Sequence, residues 1–147
     1  MSKRPIDKKQ VNGVVSSLST TQQNDSLFAA SEAQTFVGGE LKINIVYNGH
    51  SAGIVNVGFA LLFKRDGQTV SSMNINDGQV MYEPEQDVFV QDLVNIYADG
   101  AQQYRMRFKI KSKRKMQNGD SIVLAMQATT GTNPPHLNYT MNAFFLG

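Results

Sequence analysis

The chain has 147 residues, no cysteine, no tryptophan and a formal net charge of +2. That length suits one domain with a two-layer core, and the missing thiols exclude disulfide staples and cysteine metal sites. No apolar run approaches the ~18 residues of a membrane span, and MSKRPIDKKQ at the start lacks the apolar segment of a signal peptide, so a soluble, intracellular protein is expected.

Charge is placed unevenly. Residues 1–9 carry a net +3, residues 10–104 a net −7, residues 105–115 a net +7 and residues 116–147 a net −1. The near-neutral total hides an acidic body with two basic patches, an asymmetry that points to a polyanionic partner.

Along the chain, helical periodicity is missing. Short runs rich in Val, Ile, Phe, Tyr and Thr recur, cut by Gly, Asn and Asp. VNGVVSSL (11–18) and SLFAA (26–30) read as short strands. TFVGGELKINIVYN (35–48) puts Leu41, Ile43, Ile45 and Tyr47 on one face, and its glycine pair reads as a bend or bulge. AGIVNVGFALLFKR (52–65) is the most apolar run and the candidate central strand. Asp66-Gly67 signals a hairpin turn, with QTVSSM (68–73) as the antiparallel partner. A polar connection (74–87) leads to VFVQDLVNIYA (88–98) and a turn at Asp99-Gly100. The basic stretch follows, then a tight turn at Asn118-Gly119, SIVLAMQATT (121–130) and HLNYTMNAFFLG (136–147). Eight or nine such strands read as an all-β antiparallel sandwich or barrel. Residues 1–10 are expected to be a short basic arm and residues 11–147 the single domain.

Seven of the fourteen Lys and Arg lie between positions 105 and 115. In a strand, Tyr104, Met106, Phe108 and Ile110 fall on one side. Arg105, Arg107, Lys109, Lys111 and Lys113 fall on the other, at steps of ~6.5–7 Å, close to the phosphate spacing of an extended single strand. Arg114 and Lys115 carry the charge into the turn, and Lys3, Arg4, Lys8 and Lys9 add to it from the arm. A row of this kind suits sequence-independent contact with a phosphate backbone. A solvated sheet face or a protected edge would also be polar, but ordinary surfaces mix the two signs. Tyr104 could stack on a base, although its inward register favours packing.

Motifs of catalysis are missing. His50 and His136 have no nucleophile at motif spacing, and there is no G-x-S-x-G, H-E-x-x-H or P-loop. No enzymatic activity, cofactor or small-molecule substrate is therefore expected. Asp77, Glu83, Glu85 and Asp87 make an acidic loop that could offer hard oxygens to Ca²⁺, but it lacks D-x-D-x-D-G spacing and reads as solvated.

The succession FVGGELKINIVY, LLFKRDG, DGQVMYEPEQDVF, KSKRKMQNGD and SIVLAMQA resembles the small capsid proteins of circovirus-like, Rep-encoding single-stranded DNA viruses. In that family RDG, PEQDV and K-x-x-R-K-x-x-x-GD elements recur in this order, and the likeness covers roughly residues 20 to 130. It implies an eight-stranded jelly-roll sandwich with sheets ordered BIDG and CHEF, assembling in the host cell into a small icosahedral virion. It further implies that residues 103–113 form strand G, whose basic side faces packaged single-stranded DNA or a neighbouring subunit. The connection 74–87 would lie at subunit contacts or on the outer surface. Many such proteins carry a long Arg-rich arm, whereas this chain has four basic residues in its first nine, so the basic strand would have to supply the missing charge. The alternative is a non-viral binding module, carbohydrate-binding or a C1q/TNF-like trimer. The lack of tryptophan platforms and of an export signal weighs against it.

Overall fold

The computed structural model describes residues 6–47, 50–73, 75, 87–99, 102–129 and 134–147. Among these residues there are nine strands and no helix: β1 (Ile6–Val15), β2 (Gln23–Ala29), β3 (Gln34–Tyr47), β4 (His50–Lys64), β5 (Asp87–Asp99), β6 (Gln102–Ile110), β7 (Arg114–Met116), β8 (Ser121–Ala128) and β9 (His136–Leu146). They form two antiparallel sheets. One runs β1-β9-β3-β6, with β7 also paired to β3, and the other runs β2-β8-β4-β5. Lettering the strands in chain order with β7 set aside makes these BIDG and CHEF. The fold is a jelly-roll sandwich carrying one extra, three-residue strand.

Period-two patterning builds the core. Leu41, Ile43, Ile45 and Tyr47 of β3 are buried, as are Leu137, Tyr139, Met141, Ala143 and Phe145 of β9. They meet Val57, Phe59, Leu61 and Phe63 of β4 and Ile122, Leu124 and Met126 of β8 in one cluster. A chain of rings, Phe28–Phe145–Phe36–Phe89–Phe63, crosses between the sheets with centroids 5.3 to 6.3 Å apart, within the range of favourable aromatic pairing. A polar tie also joins them. Tyr139 Oη donates to Asp25 Oδ2 at 2.7 Å. Burial first, and then the hydrogen bond and charge of Asp25, push this phenol well above its ordinary pKa. Gly13 makes the reach possible, because a Cβ there would stand 2.1 Å from Tyr139 Cζ.

Three expectations need correction. The Asp66-Gly67 turn closes, with Gln68 N donating to Arg65 O at 3.0 Å, but residues 68–73 do not form a strand. β4 is already paired to β5 on one side and β8 on the other, so no edge is free for a hairpin partner. The segment instead crosses the outer face of the β2-β8-β4-β5 sheet, where Val70, Met73 and Ile75 cover Ala60, Leu62 and Ala125. Gln22 pins it, donating from Nε2 to Ser71 O at 3.0 Å and accepting from Met73 N at 2.7 Å.

Second, the basic stretch is two strands rather than one. β6 ends at Ile110, opposite Gly39, and β7 resumes the pairing at Phe36, across a bulge in β3 between Phe36 and Gly39. Gly38 holds the bulge at φ +117° and would bring a Cβ within 2.8 Å of Ile110 O, so the position requires glycine. Third, β1 begins at Ile6, which places Lys8 and Lys9 in the sheet instead of in an arm.

Candidate nucleic-acid interface

Antiparallel register decides which charges share a face. Arg105, Arg107 and Lys109 of β6 stand opposite Asn44, Lys42 and Glu40 of β3. Those residues stand opposite Asn138, Thr140 and Asn142 of β9. The buried partners Leu41, Ile43 and Met141 point the other way, so this polar set forms the solvent side of the β1-β9-β3-β6 sheet. Lys8 joins the face opposite Phe144, and Lys115 joins it opposite Thr35. Six basic side chains, Lys8, Lys42, Arg105, Arg107, Lys109 and Lys115, therefore project from one sheet face. Among the described residues Glu40 is the sole carboxylate on that face. Its Oε1 lies 3.7 Å from both Lys42 Nζ and Arg107 Nε, and such exposed pairs hold little energy and open readily to another anion. The neighbouring amides and hydroxyls are all hydrogen-bonding groups, and a shallow groove of about 460 Å³ runs between Lys42, Arg105, Arg107 and Thr140.

The expected binding residues divide. Arg105, Arg107 and Lys109 alternate along the exposed side of β6 as expected, while Tyr104, Met106 and Phe108 pack against the core. Lys111 and Lys113 are exposed, but they lie in the connection after β6, so the straight row ends at Lys109. Arg114 turns away from the face. It pairs with Asp87 Oδ1 at 2.5 Å and lies over the rings of Phe63 and Phe89 at 5.8 and 5.9 Å, which binds β7 to the opposite sheet. Lys9 has the inward parity of Ala143, its register partner, and lies 5.3 Å over the Phe145 ring. Lys3 and Arg4 lie outside the described residues, as do Asp77, Glu83 and Glu85 of the acidic loop.

Lys42 was missed by sequence reasoning. It is one of three cations in the acidic segment 10–104, and its membership of the basic face depends on pairing with Arg107 across 65 positions of chain. The signal that could have found it is the strict alternation in LKINIVY, which fixes Lys42 on the side opposite Leu41 and Ile43.

The sequence elements that carry the resemblance meet near one end of the sandwich. Asp120 of the GD element is only 4% exposed. Its Oδ1 accepts from Asp66 N of the RDG turn and its Oδ2 from Gln117 N, each at 2.9 Å. Asp87 of the PEQDV element holds Arg114. These contacts brace the fold, and the basic row Arg105, Arg107 and Lys109 on β6 lies outside the elements that make them.

No protein-family model and no curated protein matches the sequence. Among solved structures, a chain of turnip yellow mosaic virus is similar at 12% identity and a TM-score of 0.44, over 98% of this chain and 94% of that one. An aminopeptidase from the marine sediment archaeon Thaumarchaeota archaeon is similar at 8% identity and a TM-score of 0.48, over 99% of this chain but only 34% of the enzyme. The infectious bursal disease virus Gt strain structure follows at 8% identity and a TM-score of 0.25, over 94% of this chain and 36% of that one. Likenesses of this degree include both viral shells and enzymes and carry no argument about function.

Proposed function

We propose that this protein is a capsid subunit that assembles with copies of itself into a closed icosahedral shell and holds single-stranded DNA, without sequence preference, on the solvent side of the β1-β9-β3-β6 sheet. The observation that carries the reading is the difference between the two sheet faces. The outer β2-β8-β4-β5 face has an apolar centre, Ala60, Leu62 and Ala125, covered by the chain's own Val70, Met73 and Ile75. The other face is covered by no described segment and presents six basic side chains against one carboxylate. A solvated face without a partner has no need of such a bias, whereas neutralising phosphates and releasing their counterions gives binding that is blind to sequence. Strand order supports the capsid half of the proposal, since BIDG and CHEF are what the resemblance implies. In a closed shell that holds its genome inside, the face that contacts the genome is the lining. The protein then acts in the virion as a container and has no catalytic role.

Size-exclusion chromatography with light scattering, read at 260 and 280 nm, tests both halves. The expected result is a megadalton species with excess absorbance at 260 nm. A megadalton species free of nucleic acid would remove the binding half. A homogeneous monomer or trimer across salt and pH would overturn the assembly half and restore the binding-module alternative.

A further inference from the structure

A second groove on the basic face differs from the first in containing an exposed aromatic ring. Phe144 is 37% exposed, whereas its neighbours Ala143 and Phe145 are buried in the core. It points to the basic side of β9, opposite Lys8 on β1. On its other side lies the β3 bulge, where pairing to β9 is interrupted between Phe36 and Gly39. Gly38 and Gly39 put no side chain over the ring, and β6 has already ended at Ile110. The sheet surface therefore opens into a trough of about 660 Å³, whose lining includes Phe144, the two glycines, Val37, Glu40 and Lys109, Lys111 and Lys113. Among the described residues no cation–π contact engages Phe144, in contrast to Phe63, Phe89 and Phe145.

We infer that this trough is a nucleotide subsite: one base of the bound strand stacks on Phe144 while Lys109, Lys111 and Lys113 hold the flanking phosphates. The inference rests on the reading of the face as a single-strand binder and adds to it a specific contact with the base. Charge selects the occupant, since three ammonium groups around one ring fit an aromatic group carried on a polyanion. An apolar protein segment would leave those ammonium groups without partners. Stacking is indifferent to base identity because every base has a π-face, so the subsite preserves sequence-independent binding. It also gives Lys111 and Lys113 a place although they fall outside the strand.

The test compares oligo-dT with an abasic oligonucleotide of equal length and phosphate number, by fluorescence anisotropy at several salt concentrations. Wild-type protein is expected to bind oligo-dT more tightly, by roughly 5- to 150-fold per stacked base. Phe144→Ala is expected to abolish that preference without changing the salt slope, and Phe144→Tyr to restore it. Oligonucleotides containing 5-iodouracil should photocrosslink to the peptide that bears Phe144. Salt-dependent binding with equal affinity for both probes would overturn the subsite and leave the basic face standing. Absence of salt-dependent binding to either probe would overturn the face itself and the subsite with it. A Phe144→Ala protein that keeps the oligo-dT preference but loses assembly would make the ring a subunit contact and end the proposal.

Discussion

Replacing Arg105, Arg107 and Lys109 together by Gln removes half of the six basic side chains on the β1-β9-β3-β6 face. All three are exposed, and none contributes to the core, so the fold should persist with a stability change of at most about 0.5 kcal/mol per site. For single strands, log affinity falls with log salt at a slope of about −0.7 per neutralised phosphate. Counting the sheet face alone, without Lys111 and Lys113, six contacts set a slope near ~ −4 and three leave ~ −2. Raising salt from about 50 to 200 mM should then weaken the wild type by a few hundredfold and the variant by about twentyfold. Glu40 supplies an opposite test, because it draws Lys42 and Arg107 toward itself. Glu40→Gln should steepen the slope by up to ~0.7 and tighten binding at low salt. Anisotropy titrations of oligo-dT at four or more salt concentrations measure the slopes, with circular dichroism to confirm the fold. An unchanged slope in the triple variant would refute the assignment and shift binding to residues beyond this face.

Arg114→Gln should leave that salt slope unaltered and lower the melting temperature, since it breaks the half-exposed pair with Asp87 and two ring contacts worth about 1 kcal/mol together. Thermal melts and the same titrations separate the two effects. Asp120→Ala should destabilise by about 2–5 kcal/mol in urea denaturation, because Asp66 N and Gln117 N both lose their acceptor. Tyr139→Phe should flatten the loss of stability at high pH. The folded phenol titrates above the unfolded value of ~10, so its contribution is complete below that value and is lost as pH rises through the higher folded one. Equal alkaline melting profiles for wild type and variant would contradict the tie to Asp25.

Much of the fold lies in local pattern. The alternation of Leu41, Ile43, Ile45 and Tyr47 reads directly as one buried face, and the structure buries all four. The alternation of Tyr104, Met106 and Phe108 against Arg105, Arg107 and Lys109 is equally legible, and it fixes the exposed side of β6 without any knowledge of its neighbours. Turn signals mark where the chain reverses, but not what it does next. Asp66-Gly67 makes its turn, yet the strand expected after it does not form because both edges of β4 are occupied by strands distant in sequence. Edge availability belongs to the whole sheet and cannot be read from a dipeptide.

The charged face shows the same division. The sequence by itself determined that the chain is all-β, that its positive charge is concentrated after position 104, and that this charge alternates with apolar residues. These follow from side-chain period and composition, which act over a few residues. Only the tertiary structure decided that the row stops at Lys109, that Arg114 turns into the sandwich, and that Lys42 and Lys8 complete the face. A bulge changes the parity of every residue beyond it, and cross-strand register is set by contacts that one segment cannot encode alone. The trough beside Phe144 has the same origin, since it exists where a bulge in β3, the end of β6 and an outward ring on β9 coincide.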